Sequence, residues 1–570
     1  MNAALVLSKH DLTRPNQDSE TVLSGALSVK AHCLPFNQIP HTTRLFLDLL
    51  AYTPSAQTFY PCSPYLGEWI TGDAGKVSYD PSRRERVANI IERQNRSWNA
   101  SGKTLANLER FRRGAAALVT GQQVGLFGGP TFALYKALSA VKLADEATRA
   151  GVDTVPIFWL ATYDHDLAEV NHVSIPGSEG ILQTLATTSH DVPGAPVNAV
   201  RFGEEITLVV EQAAALLGDT EATQILRDCY RPGESMGSAF ARLYARIFAD
   251  WGVILIDPSD PELARIVEPV YRAAIERSEE LTAKLLARGK VLDSSGYHQQ
   301  VKVTESSVLL FTTRNGARTP IARRASQDTT EFVVDGVAAG EKLSESQLLQ
   351  EISGHPERFS PNVLLRPVIE DYLLPTLAYT GGAAEAAYFA QAGVVYESLA
   401  SRVTPILPRF SATIVEPKTE RLLEKHQIGI TEVFGGPEPL RQQIATRNLP
   451  SDLQAAFESA RLSFDSNFSA VKAKLEKLDK TLVDAAETAR SKMQHQLEKL
   501  YSQAARAELQ KGELVNRHAE ILSESLYPNK GLQERSIGGI YFIARYGLDL
   551  LPQLYEAIHT NCPDHQILEL

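Results

Sequence analysis

Three short stretches bring together residue types that bind anions and move protons. The first is Thr120-Gly121-Gln122-Gln123-Val124-Gly125-Leu126-Phe127-Gly128-Gly129-Pro130, set between an apolar run and a helical pattern. Glycines there permit positive φ and close approach of a ligand to the backbone, and Pro130 suits the first helical position. A helix N-terminus offers unbonded N–H groups and the positive end of the helix dipole, which favours a phosphate or carboxylate. Lys136, in the second turn, would add charge. The same string can equally be a tight strand-to-helix turn with no ligand. It is not GxGxxG, and Gly102-Lys103-Thr104 fails as a Walker A motif because Ser97 stands where glycine is required.

The second stretch runs from Trp159 to His172, where an apolar run ends in Thr162-Tyr163-Asp164-His165-Asp166-Leu167-Ala168-Glu169-Val170-Asn171-His172. His165 and His172 can exchange protons near neutral pH, with Asp166 fixing a tautomer. Asp164, Asp166 and Glu169 can instead hold Mg²⁺ with substrate phosphates, with Asn171 in the same cluster. His165, Glu169 and His172 match no standard zinc spacing, so no metal ligand is assigned. A helix N-cap with surface charges is the plain alternative. The third stretch is Asn362 to Pro375, followed by Tyr379-Thr380-Gly381-Gly382-Ala383-Ala384-Glu385. Arg366 is a bidentate donor for a carboxylate or phosphate, with Tyr372 nearby. Gly381-Gly382 gives a second close backbone approach, and Glu385 falls in the first turn of the next helix. A structural ion pair is the alternative for Arg366 and Glu385.

The elements that must position these residues alternate. Ala115–Val119 and Val155–Ala161 read as buried strands, with a helix over Thr131–Arg149 between them and Gly151 as its stop. That helix carries Leu134, Leu138 and Val141 on one face, with Lys136, Lys142, Asp145 and Arg149 outside it. Val253–Ile256 reads as another strand, followed by a long helical pattern from about Pro261 to Gly289. Alternating strand and helix implies a parallel sheet covered on both sides. Residues of roughly 172–245 interrupt the rhythm with a polar, helical stretch. Residues of roughly 300–350 interrupt it with short strands at Val301–Thr304, Val308–Thr313, Ile321–Arg324 and Glu331–Val334, which suggests an antiparallel insertion. Farther on, Phe464, Phe468, Val471, Leu475, Leu478, Leu482, Ala485 and Ala489 step by 4 and 3, a heptad seam. Met493 and Leu497 continue at steps of 4, a stutter. The seam suits either a dimer interface or an antiparallel hairpin.

Composition narrows the classes. The chain has 570 residues, 44% hydrophobic and 22% charged, with a net charge of −11. This is ordinary globular composition, and an acidic chain is a poor general nucleic-acid binder. Cys33, Cys62, Cys229 and Cys562 are far apart with no CxxC pair, which argues against a zinc ribbon or disulfide framework and suits a reducing cytoplasm. The N-terminus lacks the basic and apolar regions of a signal peptide. Gly114–Tyr135 carries no charge, but its glycines and Pro130 make it a poor membrane helix.

Taken together, TGQQVGLFGGP, PIFWLATYDHDLAEVNH, FSPNVLLRPVIEDYLLPTLAYTGGAAEAAYF and Pro528-Asn529 through Leu532-Gln533-Glu534-Arg535 resemble the BshC family of bacillithiol-pathway enzymes, with the order of blocks preserved over nearly the whole chain. The resemblance implies an α/β fold: a Rossmann-like parallel-sheet core, two connecting-peptide insertions and a C-terminal α-helical coiled coil used for homodimerisation. On that plan residues 1–110 are a helical lead-in. Residues 111–171, 246–299 and 351–450 form the core, and 172–245 and 300–350 the insertions. Residues 451–527 form the coiled coil, and 528–570 a segment packing on the core. The implied reaction joins the carboxyl group of cysteine to the amine of glucosaminyl-malate in the cytoplasm. Amide formation from a free carboxylate needs activation, for which ATP with Mg²⁺ is expected, although neither an HIGH tetrapeptide nor a KMSKS-type loop is present. The expected catalytic residues are His165, Asp166 and His172. The expected binding residues are Thr120, Gly121, Gln122, Gln123, Gly125, Gly128, Gly129, Lys136, Asp164, Glu169, Asn171, Arg366, Tyr372, Gly381, Gly382 and Glu385. Another ATP-dependent ligase or nucleotidyltransferase on the same core, or a non-catalytic dimeric scaffold, are the alternatives.

Overall fold

A computed structural model describes residues 29–188, 192–326, 329–334, 340–400, 402–511 and 513–570. The N-terminal residues on which the signal-peptide reading rests, and Gly512, lie outside the described residues. The core is a parallel sheet of β1 (Ala116–Gln122), β2 (Thr154–Leu160), β3 (Ile254–Ile256), β4 (Thr376–Gly381) and β5 (Ile406–Pro408), in the order β5-β4-β1-β2-β3. β2 is buried at every position, as a central parallel strand covered on both faces must be, so its sequence is continuously apolar rather than alternating. In register, Gly121 lies opposite Trp159. A Cβ at 121 would sit 3.0 Å from the Trp159 carbonyl oxygen and 3.1 Å from its Cβ, so this glycine serves strand packing.

Helix α1 (Phe132–Arg149) returns from β1 to β2 and ends at Gly151, whose φ of +95° a side chain would resist. The apolar face expected for α1 is present, but Lys136 is not outside it: the residue is only 3% exposed, because its ammonium turns into the cleft at the strand ends. The helical pattern after β3 is two helices, α2 (Pro261–Glu276) and Ser278–Ser294. The first insertion contains an antiparallel hairpin, His172–Pro176 with Leu182–Ala186, and three helices. The second is a five-stranded antiparallel sheet that closes with Phe359–Pro361, beyond residue 350. Val301–Thr304 is not one of its strands. The Val301 N–H and carbonyl bond instead to the Gln391 side-chain amide, which takes the place of a strand partner.

One feature departs from the sequence reading. Lys30–Leu34 is a strand, pairing antiparallel with His565–Glu569, which in turn pairs parallel with Ala412–Val415. The lead-in is therefore not wholly helical. The heptad seam folds as the antiparallel hairpin, one of the two arrangements it suits. Helices α4 (Ser451–Leu478) and α5 (Leu482–Lys511) fold back as a hairpin, with the Asp479 carboxylate accepting from the Thr481 N–H and hydroxyl in the turn. Asp465 accepts from Arg490 and Gln494, Lys472 pairs with Glu487, and the Phe457 and Tyr501 rings lie 4.9 Å apart.

Candidate active site

The carboxyl ends of parallel strands are where open α/β sheets bind ligands. Here the ends of β1, β2 and β4 frame a cavity of about 540 Å³, lined among others by Gln122, Trp159, Arg366 and Glu385. A second cavity of about 490 Å³ lies between the core and the second insertion. The two share Trp159, Ala161, Asp164, Val301, Val363 and Arg366 as lining. The buried indole N–H of Trp159 has no partner among the described residues.

A chain of buried ionisable groups crosses the cleft floor. Lys136 Nζ donates to the Gly121 carbonyl (2.7 Å), Gln122 Oε1 (2.8 Å) and Glu385 Oε1 (2.6 Å). Glu385 also accepts from the Tyr379 hydroxyl and from the Gly382 N–H at the start of helix α3 (Ala383–Leu399). Burial pulls the Lys136 pKa down and Glu385 opposes it; burial pushes the Glu385 carboxyl up, but Lys136, the Gly382 N–H and the Tyr379 hydroxyl together hold it below its usual range. Arg409, after β5, makes a two-pronged pair with buried Glu534 at 2.6 and 3.2 Å. Gly382 permits this: a Cβ there would lie 3.3 Å from Arg409 Nε. Arg366 donates to the Tyr388 hydroxyl at 2.8 Å and lies 3.5 Å from Glu370. Burial pushes the Glu370 carboxyl up to about 8, against the pull of Arg366. That proton affinity suits a group exchanging protons with an amine near neutral pH.

The glycine-rich loop is closed. Val124 to Gly129 are all buried, and the N–H groups of Gly125, Gly128 and Gly129 bond within the loop. Gly128 (φ +91°) packs under Leu243, and its carbonyl accepts from the Tyr244 hydroxyl. Gly129 (φ +71°) accepts from the Gly539 N–H. The N–H and hydroxyl of Thr131, at the head of α1, both bond the Ile537 carbonyl. The C-terminal segment thus occupies the helix terminus expected to face an anion, which corrects that expectation for Gly128 and Gly129. Thr120 is buried, its hydroxyl bridging to the Thr380 carbonyl of β4. Gln122, Gln123 and Gly125 line a smaller cavity of about 320 Å³, with Glu169 and His172.

In the second stretch, the Gln123 amide donates to Asp164 at 2.6 Å and Glu169 at 2.8 Å, drawing the two carboxylates to one side. Asp164 is held below its usual range: burial pulls upward, but the Gln123 amide, the His165 N–H and Arg318 outweigh it. The expected trio His165, Asp166 and His172 is not assembled. His165 Nδ1 accepts from Arg318 at 3.1 Å, Asp166 is exposed ahead of a short helix, and His172 is exposed at the start of a strand beside Asn171. Asn171 donates to the Thr187 carbonyl. Among the described residues, no group of three or more His, Cys, Asp or Glu could hold a metal ion. Tyr372 is turned away from the cleft, its ring 4.0 Å from the Arg83 guanidinium carbon.

Four cleft residues escaped the sequence reading as site residues: Arg318, Glu370, Arg409 and Arg535. Arg318 lies over the Phe311 ring and donates to His165, Ser360 Oγ and the Pro361 carbonyl. Burial lowers its pKa to about 10. Arg535 lines the main cavity and two flanking ones. Neither Arg318 nor Arg535 has a carboxylate within ion-pair distance among the described residues, so neither charge is neutralised by an adjacent acid. The conspicuous signal for Arg535 was the Leu532-Gln533-Glu534-Arg535 block. Arg318 had none, since one arginine in an antiparallel strand reads as surface.

Residues 29–410 match the family model for the N-terminal Rossmann-like domain of the bacillithiol biosynthesis protein BshC, and residues 412–570 match that for its C-terminal coiled-coil domain. A relative from Koribacter versatilis is 46% identical over 94% of this chain and 99% of its own length. Relatives from Solibacter usitatus and Salinibacter ruber are 33% and 32% identical, each over 94% of this chain, covering 99% and 98% of their own. All three carry the name "Putative cysteine ligase BshC". With both models matched end to end across the described core and hairpin, the chain belongs to the BshC family.

Proposed function

We propose that this chain is a cysteine ligase that joins the carboxyl group of L-cysteine to the amine of glucosaminyl-malate, forming bacillithiol. The observation that carries the reading is the cleft at the strand ends: a cavity lined by Arg535 and by a carboxyl of raised proton affinity, Glu370, and sharing lining with a second cavity that Arg318 borders. Arg535 and Arg318 suit the carboxylates of an anionic acceptor or the phosphates of an activating nucleotide. Glu370 takes the proton from the attacking amine, with Arg366 and Tyr388 fixing its position.

Activation of the cysteine carboxyl by ATP belongs to the same proposal. The closed loop at 124–129 offers no open phosphate cradle, so Arg535 and Arg318 are the groups that fit phosphate. Asp164 and Glu169, drawn together by Gln123, are the hard-oxygen groups that would hold Mg²⁺. Homodimerisation through the α4–α5 hairpin is the proposed assembly, supported by Leu462, Val471, Leu478, Met493 and Leu500, all exposed on it. No helix among the described residues is long and apolar enough to cross a membrane, and a cytoplasmic location is proposed with the activity.

The test is mass-spectrometric detection of bacillithiol after mixing the purified protein with cysteine, glucosaminyl-malate, Mg²⁺ and ATP, while following AMP and ADP. Product with AMP indicates an adenylate route, and product with ADP an acyl phosphate. Folded protein that yields neither product nor nucleotide turnover refutes the proposal.

A further inference from the structure

Cys33 and Cys562 stand 529 positions apart in the chain, yet their sulfurs are 3.2 Å from each other. The fold causes this contact. Cys33 lies in the strand Lys30–Leu34, opposite Gln566 in the antiparallel register with His565–Glu569. Cys562 lies in the turn that leads into that second strand, its N–H bonded to the His559 carbonyl. Cys33 is exposed and Cys562 half-buried, so the pair is open to a small reagent. Cys229 is buried and Cys62 half-buried, and neither has a second cysteine in contact among the described residues.

We propose that Cys33 and Cys562 are a redox modification site, a dithiol that takes a low-molecular-weight disulfide as its oxidant and closes to an intramolecular disulfide. The more exposed Cys33 attacks first as thiolate. Its sulfur bonds to one sulfur of the small disulfide R–S–S–R, that S–S bond breaks, and R–S⁻ leaves and takes a proton. Cys562, already in contact, then loses its proton and attacks the Cys33 sulfur, expelling the second R–S⁻. Two thiols of the protein become one disulfide, one small disulfide becomes two small thiols, and two electrons pass from protein to reagent. The sulfurs need approach by only about 1.2 Å to reach a bonded distance, a movement that a turn can supply. The bond would tie an edge strand to the turn before the central strand of its sheet and close a very long loop, the geometry in which a cross-link restricts the unfolded chain most.

This inference does not depend on the ligase reading. The experiment treats the folded, full-length protein with oxidised glutathione, quenches with acid and counts titratable thiols after unfolding in denaturant, with peptide mapping under non-reducing conditions. The expected result is a fall from four thiols to two, loss of the mass of two hydrogens, a cross-linked peptide joining Cys33 to Cys562, and reversal by dithiothreitol. The oxidised form should unfold a few degrees higher. The Cys562→Ser variant should stop at one glutathione on Cys33, and Cys33→Ser should form no intramolecular bond. Retention of four thiols, a different pairing, or cross-linking only between molecules would overturn the proposal. So would a C562S protein that still loses two thiols.

Discussion

The two walls of the cleft differ in what their glycines do. On the β1 side, Gly121, Gly125, Gly128 and Gly129 make room for Trp159, for each other and for Leu243, and most of the loop is buried. On the β4–β5 side, Gly382 makes room for the guanidinium of Arg409 and starts a helix whose Glu385 closes an ion pair. A glycine-rich loop between strand and helix is therefore a statement about close backbone approach, and the approaching group can be protein as readily as ligand. The buried pairs Lys136–Glu385 and Arg409–Glu534 close on the other wall and on the C-terminal segment that reaches it.

That contrast can be broken by substitution. The largest effect is expected for Lys136→Met, which strands Glu385 in the interior without its cation. Removing one partner of a buried pair costs about 3–5 kcal/mol, to be read from urea unfolding; a variant as stable as the parent would mean that the pair is solvated. Next comes Gly128→Val, which forces a side chain into positive φ against Leu243. A loss of about 1–3 kcal/mol is expected, with KM unchanged in the protein that still folds. A raised KM with unchanged stability would return the loop to ligand binding. Arg535→Gln should do the reverse: unfolding unaltered, and KM for the anionic acceptor raised about 10–100-fold, the worth of one charge-assisted hydrogen bond.

The smallest effect is one of pH. Burial raises Glu370 to about 8, and as a base it works deprotonated, so activity falls as pH drops through that value, about fivefold from pH 8 to pH 7. Stability runs the other way. The neutral form is the one burial favours. The contribution of Glu370 is therefore complete below the unfolded carboxyl value of about 4.3 and is lost as pH rises through about 8. Paired pH profiles of kcat and of the urea midpoint check both signs, and Glu370→Gln should flatten each.

Much of the frame was legible because it follows from periodicity. Continuous apolar runs gave β1, β2 and β3 but not β4 or β5, the 3.6-residue pattern gave α1, and short alternating runs gave most strands of the second insertion. What escaped depends on contacts distant in sequence. Lys136 falls off the apolar stripe of α1, and only the arrival of Glu385, 249 positions later, explains its burial. The turn between α4 and α5 contains Asp479-Lys480-Thr481, with neither glycine nor proline, and Leu478 to Leu482 keeps the seam's step of 4 across it. A heptad pattern therefore runs through a reversal without a mark. Tyr372 was misplaced because a residue's nearness in sequence to Arg366 says little about which face of a short helix it shares. Arg535 was visible only as part of a block, since nothing local says that it reaches β1.

The seal over the head of α1 also has a consequence in time. Thr131 and Gly129 find their partners in Ile537 and Gly539, about 410 residues downstream. A ribosome adding about 5–20 residues per second needs roughly 20–80 s to supply them. Throughout that interval Gly129 and Thr131 lack these partners, and the cleft lacks Arg535 and Glu534. On the proposed function, a growing chain acquires the Arg535 site for the anionic acceptor only once this distant segment has been made, so that binding follows late synthesis rather than early folding.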